Sequence, residues 1–254
     1  MCTVSVIRPR YSPVDLTPLL RVVCNRDERR TRSDAAAPVF RSDDATGVLT
    51  PIDPDGGGTW IAATDAGLVF VLLNGDAACE TCGSAATPRE WKSRGLIIPQ
   101  LLGCRSLEAV RDVLSAGDWK SYRPWRLVVY SATHVLDAEP AWRGMRFLLS
   151  PLPSRHVTSS SSLDAIRTIR MRTELFGRMV ERPEARLQDA FHGHRWPLSP
   201  GMSVVMERPD ARTVSRTIVE VFADHVRMTY EPLAASAAPS RTAMLELERR
   251  AGAA

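Results

Sequence analysis

The chain has 254 residues, of which 44% are hydrophobic and 24% are charged, so its composition excludes a disordered chain and predicts a globular protein. Its net charge of +4 comes from scattered arginines, without the basic stripe of a nucleic-acid-binding surface. No apolar run reaches the ~20 residues of a membrane span, and Arg8 and Pro9 interrupt the N-terminus. We therefore expect a cytoplasmic protein with neither a nucleic-acid partner nor a membrane span.

The first two predicted strands bring a cysteine close to a run of polar residues. Residues 2–7 alternate and predict a strand that begins at Cys2, and residues 19–24 predict a second strand, antiparallel to it. The second strand leads into the polar run 25–28. This run is either a solvated turn or, if the two strands pair, a set of polar groups beside Cys2.

A β-hairpin is predicted after a poorly patterned excursion. Residues 29–56 show no clear periodicity, and a cluster of turn residues occupies 53–58. The predicted hairpin strands are 59–64 and 68–73, and the second is apolar throughout. It ends at Asn74, which is either an amide that can bind an oxyanion or part of an ordinary Asn-Gly turn.

The remaining elements predict an α+β fold with antiparallel sheets. Spacing predicts helices at 91–104 (interrupted by Pro99), at 107–116 capped by Ser106, and at 163–180. Strands are predicted at 125–131, 147–149, 203–208, 214–222 and 225–231. The serine run before residue 163 is either a linker or the edge of a pocket that also caps the following helix. We expect one domain over 1–232, and a surface tail over 233–254 that ends in a short helix.

Five cysteines are an odd number, and an intracellular setting argues against disulfides. Cys79 and Cys82 form a C-x-x-C pair, but a zinc site would require two further ligands. We interpret the pair as thiols of a surface loop, with a redox or metal role as the alternative.

Cys2 follows the initiator methionine directly. Removal of Met1 would place a thiol and a free α-amine on one residue. Because the pKa of an α-amine is about 7.7–8.0, the amine is partly neutral in the cell and can accept the thiol proton. This is the chemistry of an N-terminal nucleophile, which carries its own base.

Four segments in order resemble the NRDE (transport and Golgi organisation 2-like) family: Met1-Cys2, Cys24-Asn25-Arg26-Asp27-Glu28, Gly57-Gly58-Thr59-Trp60 and Ser93-Arg94-Gly95. The resemblance covers about residues 1–232 and implies the fold of N-terminal-nucleophile hydrolases, a four-layer αββα sandwich of two antiparallel sheets. The chain is also similar, more distantly, to cholylglycine hydrolases and penicillin V acylases, through Met1-Cys2-Thr3, Arg26 and Asp27, Leu73-Asn74 and Val214-Ser215-Arg216.

This resemblance implies acyl transfer from a small-molecule amide to Cys2, with no cofactor or metal. Arg26 would lower the pKa of the thiol, and Asp27 would hold the ammonium form of the α-amine. Asn74 would bind the oxyanion, and Arg216 completes the implied catalytic set. The resemblance further implies that Asn25 and Ser160 contact the substrate.

A non-catalytic binding or trafficking module of the same family is the alternative. Its ligand would be haem or a lipid, with Cys2 as a soft ligand for haem iron. The family usually has Leu-Ser-Asn where this chain has Thr158-Ser159-Ser160. The hydroxyl of Ser160 therefore replaces an amide donor, and this replacement favours the alternative.

Overall fold

The computed structural model describes residues 2–10, 17–42, 46–75, 91–141, 144–233 and 242–250. Cys79 and Cys82 lie outside these ranges. The strands are β1 (Cys2–Ile7), β2 (Leu20–Arg29), β3 (Ala36–Ser42), β4 (Gly47–Ile52), β5 (Ile61–Thr64), β6 (Val69–Asn74), β7 (Trp125–Tyr130), β8 (His134–Ala141), β9 (Gly144–Pro151), β10 (Arg155–Ser159), β11 (Ala211–Val221), β12 (His225–Pro232) and β13 (Ala243–Glu248). The α-helices of these ranges are α1 (Leu107–Ala116), α2 (Ala165–Met179) and α3 (Ala185–His192).

Two antiparallel sheets form the centre of the fold. Sheet 1 has six strands in the order β10-β1-β2-β11-β12-β13, and sheet 2 has seven strands in the order β3-β4-β5-β6-β7-β8-β9. Side chains from both sheets share one apolar cluster, including Val4 and Val22 from sheet 1 and Val71 and Val128 from sheet 2. The sheets therefore pack face to face.

Helices cover the outer face of each sheet. The outer face of sheet 2 packs on α1 and on short 3₁₀ helices, with Phe70 and Val110 in one cluster. On the outer face of sheet 1, Ile7 packs with Phe176 of α2 and Phe191 of α3. The four layers confirm the predicted αββα sandwich. Among the described residues, no helix combines the length and the apolar composition that a membrane crossing requires.

The predicted pairing of the first two strands, the predicted hairpin and the predicted helix at 107–116 are confirmed. β1 and β2 pair antiparallel, and β5 and β6 form the predicted hairpin. Helix α1 has the predicted bounds, and the Ser106 hydroxyl accepts a hydrogen bond from Ala109 N at 3.2 Å. The serine run does not cap α2, because the N-cap residue is Asp164 and no side chain caps the helix.

Several other predictions were wrong. The 29–56 excursion contains β3 and β4, where Pro38 is tolerated because β3 is an edge strand. The 91–104 segment forms two short 3₁₀ helices, Arg94–Leu96 and Ile98–Leu101, with Pro99 at the start of the second. Strand β8 and helix α3 were not predicted, and residues 203–208 form no strand. The expected C-terminal helix is β13, which alternates between half-buried and exposed residues and pairs with β12.

A buried polar network ties α3 to β1 and β2. Gln188 Nε2 donates to Ser5 Oγ at 2.9 Å, and Ser5 Oγ lies 2.7 Å from His192 Nε2. His192 Nδ1 lies 3.0 Å from Asn25 Oδ1, and Asn25 Nδ2 donates to the carbonyls of His192 and Val204. One tautomer of His192 satisfies every hydrogen bond of this network: the ring donates from Nδ1 to Asn25 and accepts at Nε2 from Ser5.

We expect this network to make stability depend on pH. Burial, with nearby Arg216, Arg21 and Arg172, holds the pKa of His192 well below its usual value. Below about pH 6.5 the unfolded chain protonates this histidine while the folded protein does not, so acid favours unfolding. His192 then contributes a fall of up to about 1.4 kcal/mol per pH unit in the free energy of unfolding.

Urea unfolding of His192→Gln between pH 7.5 and 5 measures this contribution. The variant should be less stable at pH 7.5, because it loses ring hydrogen bonds, and its pH dependence should be shallower than that of the wild type. His134→Gln, at an exposed position on β8, is the control and should keep the wild-type slope. A wild-type slope in His192→Gln would show that His192 is not the group responsible.

Candidate active site

Cys2 stands at the first position of β1, on the face that looks toward sheet 2. The register of β1 and β2 pairs Cys2 with Arg26 and Val4 with Cys24. Residues paired in this way project to the same face of a sheet, so Cys2, Cys24 and Arg26 share one face. Cys2 is 5% exposed.

A cavity of about 530 Å³ opens at this end of the two sheets. Its walls include Cys2, Arg26, Asp27, Trp60, Asn74 and Arg94, and we call it the Cys2 cavity. The structure thus brings together four of the seven residues predicted to form the site: Cys2, Arg26, Asp27 and Asn74. Asn74 reaches the cavity because it is the last residue of β6 in the facing sheet.

Arg26 is fixed by an aromatic ring and two carboxylates. Its guanidinium carbon lies 4.1 Å from the centroid of the Trp60 ring, a cation–π contact. Arg26 Nη2 lies 3.3 Å from both Glu28 Oε2 and Asp53 Oδ2. Arg26 Nη1 is buried and has no hydrogen-bond partner among the described residues. A donor therefore remains for a ligand beside Cys2.

Asp27 is held from the helix-covered side of sheet 1. The hydroxyl of Thr213 donates to Asp27 Oδ1 at 2.6 Å, and Arg172 Nη1 lies 3.7 Å from Asp27 Oδ2. Burial raises the pKa of Asp27, and Arg172 and Thr213 partly oppose this rise by favouring the charged form. The carboxylate is therefore a buried acceptor that depends on its partners.

Arg172 was not predicted as a site residue, yet it braces β1, which carries the thiol, and the neighbouring strand β10. Nη1 donates to Thr3 Oγ1 at 2.7 Å and to Ser159 Oγ at 3.2 Å. Nε and Nη2 donate to the carbonyls of Met202 and Ser203. Arg172 is 1% exposed although it carries a charge. The sequence held one signal for it, a single charged residue on the face of α2 that carries Thr168, Leu175 and Phe176.

The two buried thiols of β1 and β2 influence each other. The side-chain hydrogen bond from Cys24 is the largest of the effects that lower the pKa of Cys2; the N-terminal charge and Arg26 act in the same direction, whereas burial and the Asp27 charge oppose them. The same hydrogen bond, together with burial, raises the pKa of Cys24 well above its usual value. Cys2 is therefore the thiol that ionises first, and Cys24 stays protonated as its donor.

We expect Cys24→Ala to shift the ionisation of Cys2 to higher pH, because the thiolate loses its hydrogen-bond donor. The measurement is the rate of Cys2 alkylation by iodoacetamide against pH, followed by peptide mass spectrometry. At pH 7 the variant should react more slowly than the wild type. Cys104→Ala removes a buried thiol from the outer cluster of sheet 2 and serves as the control. An unchanged pH profile in Cys24→Ala would contradict the assignment.

Ser160 binds the backbone of Cys2 in both directions. Cys2 N donates to Ser160 Oγ at 3.2 Å, and Ser160 N donates to the Cys2 carbonyl at 3.0 Å. These bonds extend the pairing of β1 with β10 by one residue beyond Ser159. Ser160 thus orients the nitrogen of Cys2, whereas the sequence predicted a contact with substrate.

Asn25 and Arg216 lie outside the Cys2 cavity. Asn25 pairs with Arg216 across β2 and β11 and is one position from Arg26, so both side chains project from the face of sheet 1 opposite to that of Arg26. Asn25 is fully engaged in the His192 network, and Arg216 Nε donates to Glu231 Oε2 at 2.6 Å. The predictions that Asn25 binds substrate and that Arg216 acts in catalysis therefore gain no support from this placement.

Two of the sequence motifs meet at the wall of the cavity. Thr59 N donates to the Gly95 carbonyl at 3.0 Å, and a Cβ on Gly58 would lie 2.3 Å from the carbonyl atoms of Gly95. Only glycine fits at position 58, since the clash would be with backbone rather than with a flexible side chain. The Gly57-Gly58-Thr59-Trp60 and Ser93-Arg94-Gly95 segments are therefore one structural unit.

The described residues contain no group of three or more His, Cys, Asp and Glu side chains that could hold a metal ion. The cavity itself offers several reactive side chains. A thiol with a lowered pKa, a buried carboxylate, an arginine with a spare donor and an amide meet in one cavity. This set can form a thioester and stabilise the charge that develops during acyl transfer.

Known structures share this fold. The C. elegans orthologue of N-acylethanolamine-hydrolyzing acid amidase matches with a TM-score of 0.55 at 9% identity, covering 86% of this chain and 92% of that chain. Two variants of conjugated bile acid hydrolase from Clostridium perfringens match at TM-scores of 0.55 and 0.54. Their identities are 9% and 10%, with 97% and 99% of this chain and 92% and 97% of those chains covered. At these identities the match establishes the fold.

The family is established by sequence. No curated protein matches the chain. The family model described as "Transport and Golgi organisation 2" matches residues 1–194, which include the Cys2 cavity residues discussed above and the Arg172 brace. The chain therefore belongs to the Transport and Golgi organisation 2 family.

Proposed function

We propose that this protein is an N-terminal cysteine acyl-transfer enzyme that hydrolyses an amide, with Cys2 as the nucleophile. One observation carries the proposal: the thiol of Cys2 lies in a cavity with Arg26, Asp27 and Asn74. The names of the structural neighbours support it, since one is an N-acylethanolamine-hydrolyzing amidase and the other a conjugated bile acid hydrolase.

The base would be the α-amine of Cys2, released by removal of Met1. Because β1 and β2 are antiparallel and Cys2 pairs with Arg26, the amine end of Cys2 points toward the side of Asp27. Ser160 Oγ, at 3.2 Å from the same nitrogen, accepts one of its hydrogens. Asp27 then favours the ammonium form by charge, and Ser160 fixes its orientation.

The reaction balances with these groups alone. The sulfur of Cys2 attacks the carbonyl carbon as the α-amine takes the thiol proton, and the tetrahedral oxyanion forms. In this proposal the amide of Asn74 and the spare Nη1 donor of Arg26, which both line the cavity, stabilise it. The C–N bond breaks, and the leaving amine receives the proton from the α-ammonium. Water then attacks the thioester, releases the carboxylic acid and returns the thiol.

Intact mass spectrometry tests the first requirement. The expressed protein should lack Met1, and a thiol-directed acylating probe should add one label at Cys2 ahead of the other four cysteines. Retention of Met1 would remove the base and contradict the mechanism. In that case the binding module would be the function to pursue, by titrating haem against the wild type and Cys2→Ser.

A further inference from the structure

The arginines of the Cys2 cavity exceed its acidic residues by one. Six arginines and five acidic residues line it among the described residues. Each of the five acids forms an ion pair with an arginine, as Asp53 does with Arg26 and Arg32, and Asp210 does with Arg208. These acids are therefore already neutralised, and the described lining of the cavity keeps an excess of positive charge.

Arg94 and Arg123 are cavity arginines for which the described part of the chain supplies no ion-pair partner. Arg94 is half-buried, and its Nη1 donates to the carbonyl of Pro124, which anchors it next to Arg123. Burial lowers the pKa of Arg94, Cys2 acts to raise it, and Arg123 acts to lower it further. Two like charges thus lie in the wall of one cavity, and one of them is partly removed from water.

A half-buried cation beside a second cation is unfavourable unless an anion joins them. A guanidinium presents parallel donors that match a carboxylate with two hydrogen bonds. The chemistry of the site therefore fits a carboxylate.

We infer that the Cys2 cavity contains an anion subsite formed by Arg94 and Arg123, and that its substrates are small amides carrying a carboxylate, such as N-acyl amino acids. The inference rests on the proposed function for the amide and on these two arginines for the carboxylate. It also gives a role to the Ser93-Arg94-Gly95 segment, whose packing against Thr59 and Gly58 fixes the arginine in the wall.

A matched ligand pair tests the subsite without requiring turnover. N-acetyl-L-alanine and its primary amide, N-acetyl-L-alaninamide, differ only in the carboxylate. Each is titrated into the full-length Cys2→Ala protein, with tryptophan fluorescence as the signal, because Trp60 and Trp91 line the cavity. The acid should bind about tenfold more tightly than the amide, as expected for charge-assisted hydrogen bonds. Raising the salt concentration should weaken this preference.

Single substitutions locate the effect. Arg94→Gln should remove most of the preference for the acid, and Arg123→Gln should reduce it by a few-fold. Arg123 is exposed, so its variant should fold normally even if Arg94→Gln loses stability. Arg167→Gln, on the exposed face of α2, makes the same charge change away from the cavity and should keep the preference.

Three results would overturn the inference: equal affinity for the two ligands, no binding of either ligand, or binding of inorganic phosphate in place of the acid. The hydrolysis of the same ligands by the wild type, followed by amine release, separates this inference from the proposed function. If the acid binds preferentially but is not cleaved, the subsite stands and the enzymatic proposal fails. If the amide is cleaved as fast as the acid, the enzymatic proposal stands and the subsite fails.

Discussion

Cys2→Ala should abolish the hydrolysis of any amide that the wild type cleaves. The variant loses the atom that attacks the carbonyl, and neither the α-amine nor the oxyanion donors can replace it. Removal of a nucleophile that works as a unit with its base lowers kcat by roughly 10⁶ in a well-studied hydrolase. A loss of at least about 10⁴ is therefore the expected result here, measured as amine release under saturating substrate.

The fold should survive this change, because alanine replaces a small, nearly buried side chain at a strand terminus. Thermal unfolding of both proteins checks that point. Cys104→Ala removes another buried thiol that does not line the cavity and should keep full activity. Wild-type turnover in Cys2→Ala would assign the activity to another residue or to a contaminant, and the proposed mechanism would fall.

The alternation of β1 and β2 made the centre of this site predictable from sequence. Once the two strands are paired, Cys2 and Arg26 must share a face because side chains alternate along a strand. The same rule places Asn25 and Asp27 on the other face, where Asn25 is held in the His192 network, whereas Asp27 still contributes to the cavity wall. The register with β11 then carries Arg216 to the face of Asn25.

Other features depend on contacts that no local pattern reports. Arg172 donates a hydrogen bond to Thr3, which lies 169 positions earlier in the sequence. Periodicity predicts the helix that carries Arg172, but it does not indicate this partner. Cys24 becomes a donor to Cys2 because the pairing of β1 with β2 places Cys24 opposite Val4, two residues along β1 from Cys2. Leu and Glu favour helices, so the sequence predicts a helix where β13 lies, whereas the pairing of β13 with β12 decides its conformation.

Arg172→Met should be the most destabilising of the substitutions considered. The change leaves the Asp27 carboxylate buried without its guanidinium and removes donors from two hydroxyls and two carbonyls. Breaking a buried pair from one side costs about 3–5 kcal/mol. Urea unfolding at pH 7 measures the loss. Arg170→Met, two residues earlier on the exposed face of α2, removes only an ion pair with Glu174 and should cost at most about 0.5 kcal/mol.

The pH dependence of that loss distinguishes an electrostatic role from a packing role. Burial already raises the pKa of Asp27, and removal of Arg172, the main opposing group, raises it further. At pH values between the pKa of Asp27 in the unfolded chain, about 3.9, and its raised pKa in the folded variant, the folded variant keeps Asp27 protonated while the unfolded chain releases the proton. The stability of Arg172→Met relative to wild type should therefore improve as the pH falls from 7 toward 5.

Asp27→Asn in the Arg172→Met background completes the cycle. The amide introduced at position 27 of the double variant carries no charge to desolvate, so the double variant should be more stable at pH 7 than Arg172→Met alone. Its stability relative to wild type should no longer improve as the pH falls. Recovery will be partial, because the carbonyls of Met202 and Ser203 still lack their donors. If the second substitution adds a further loss instead, Arg172 acts through packing and hydrogen bonds, and the ion pair with Asp27 contributes nothing to stability.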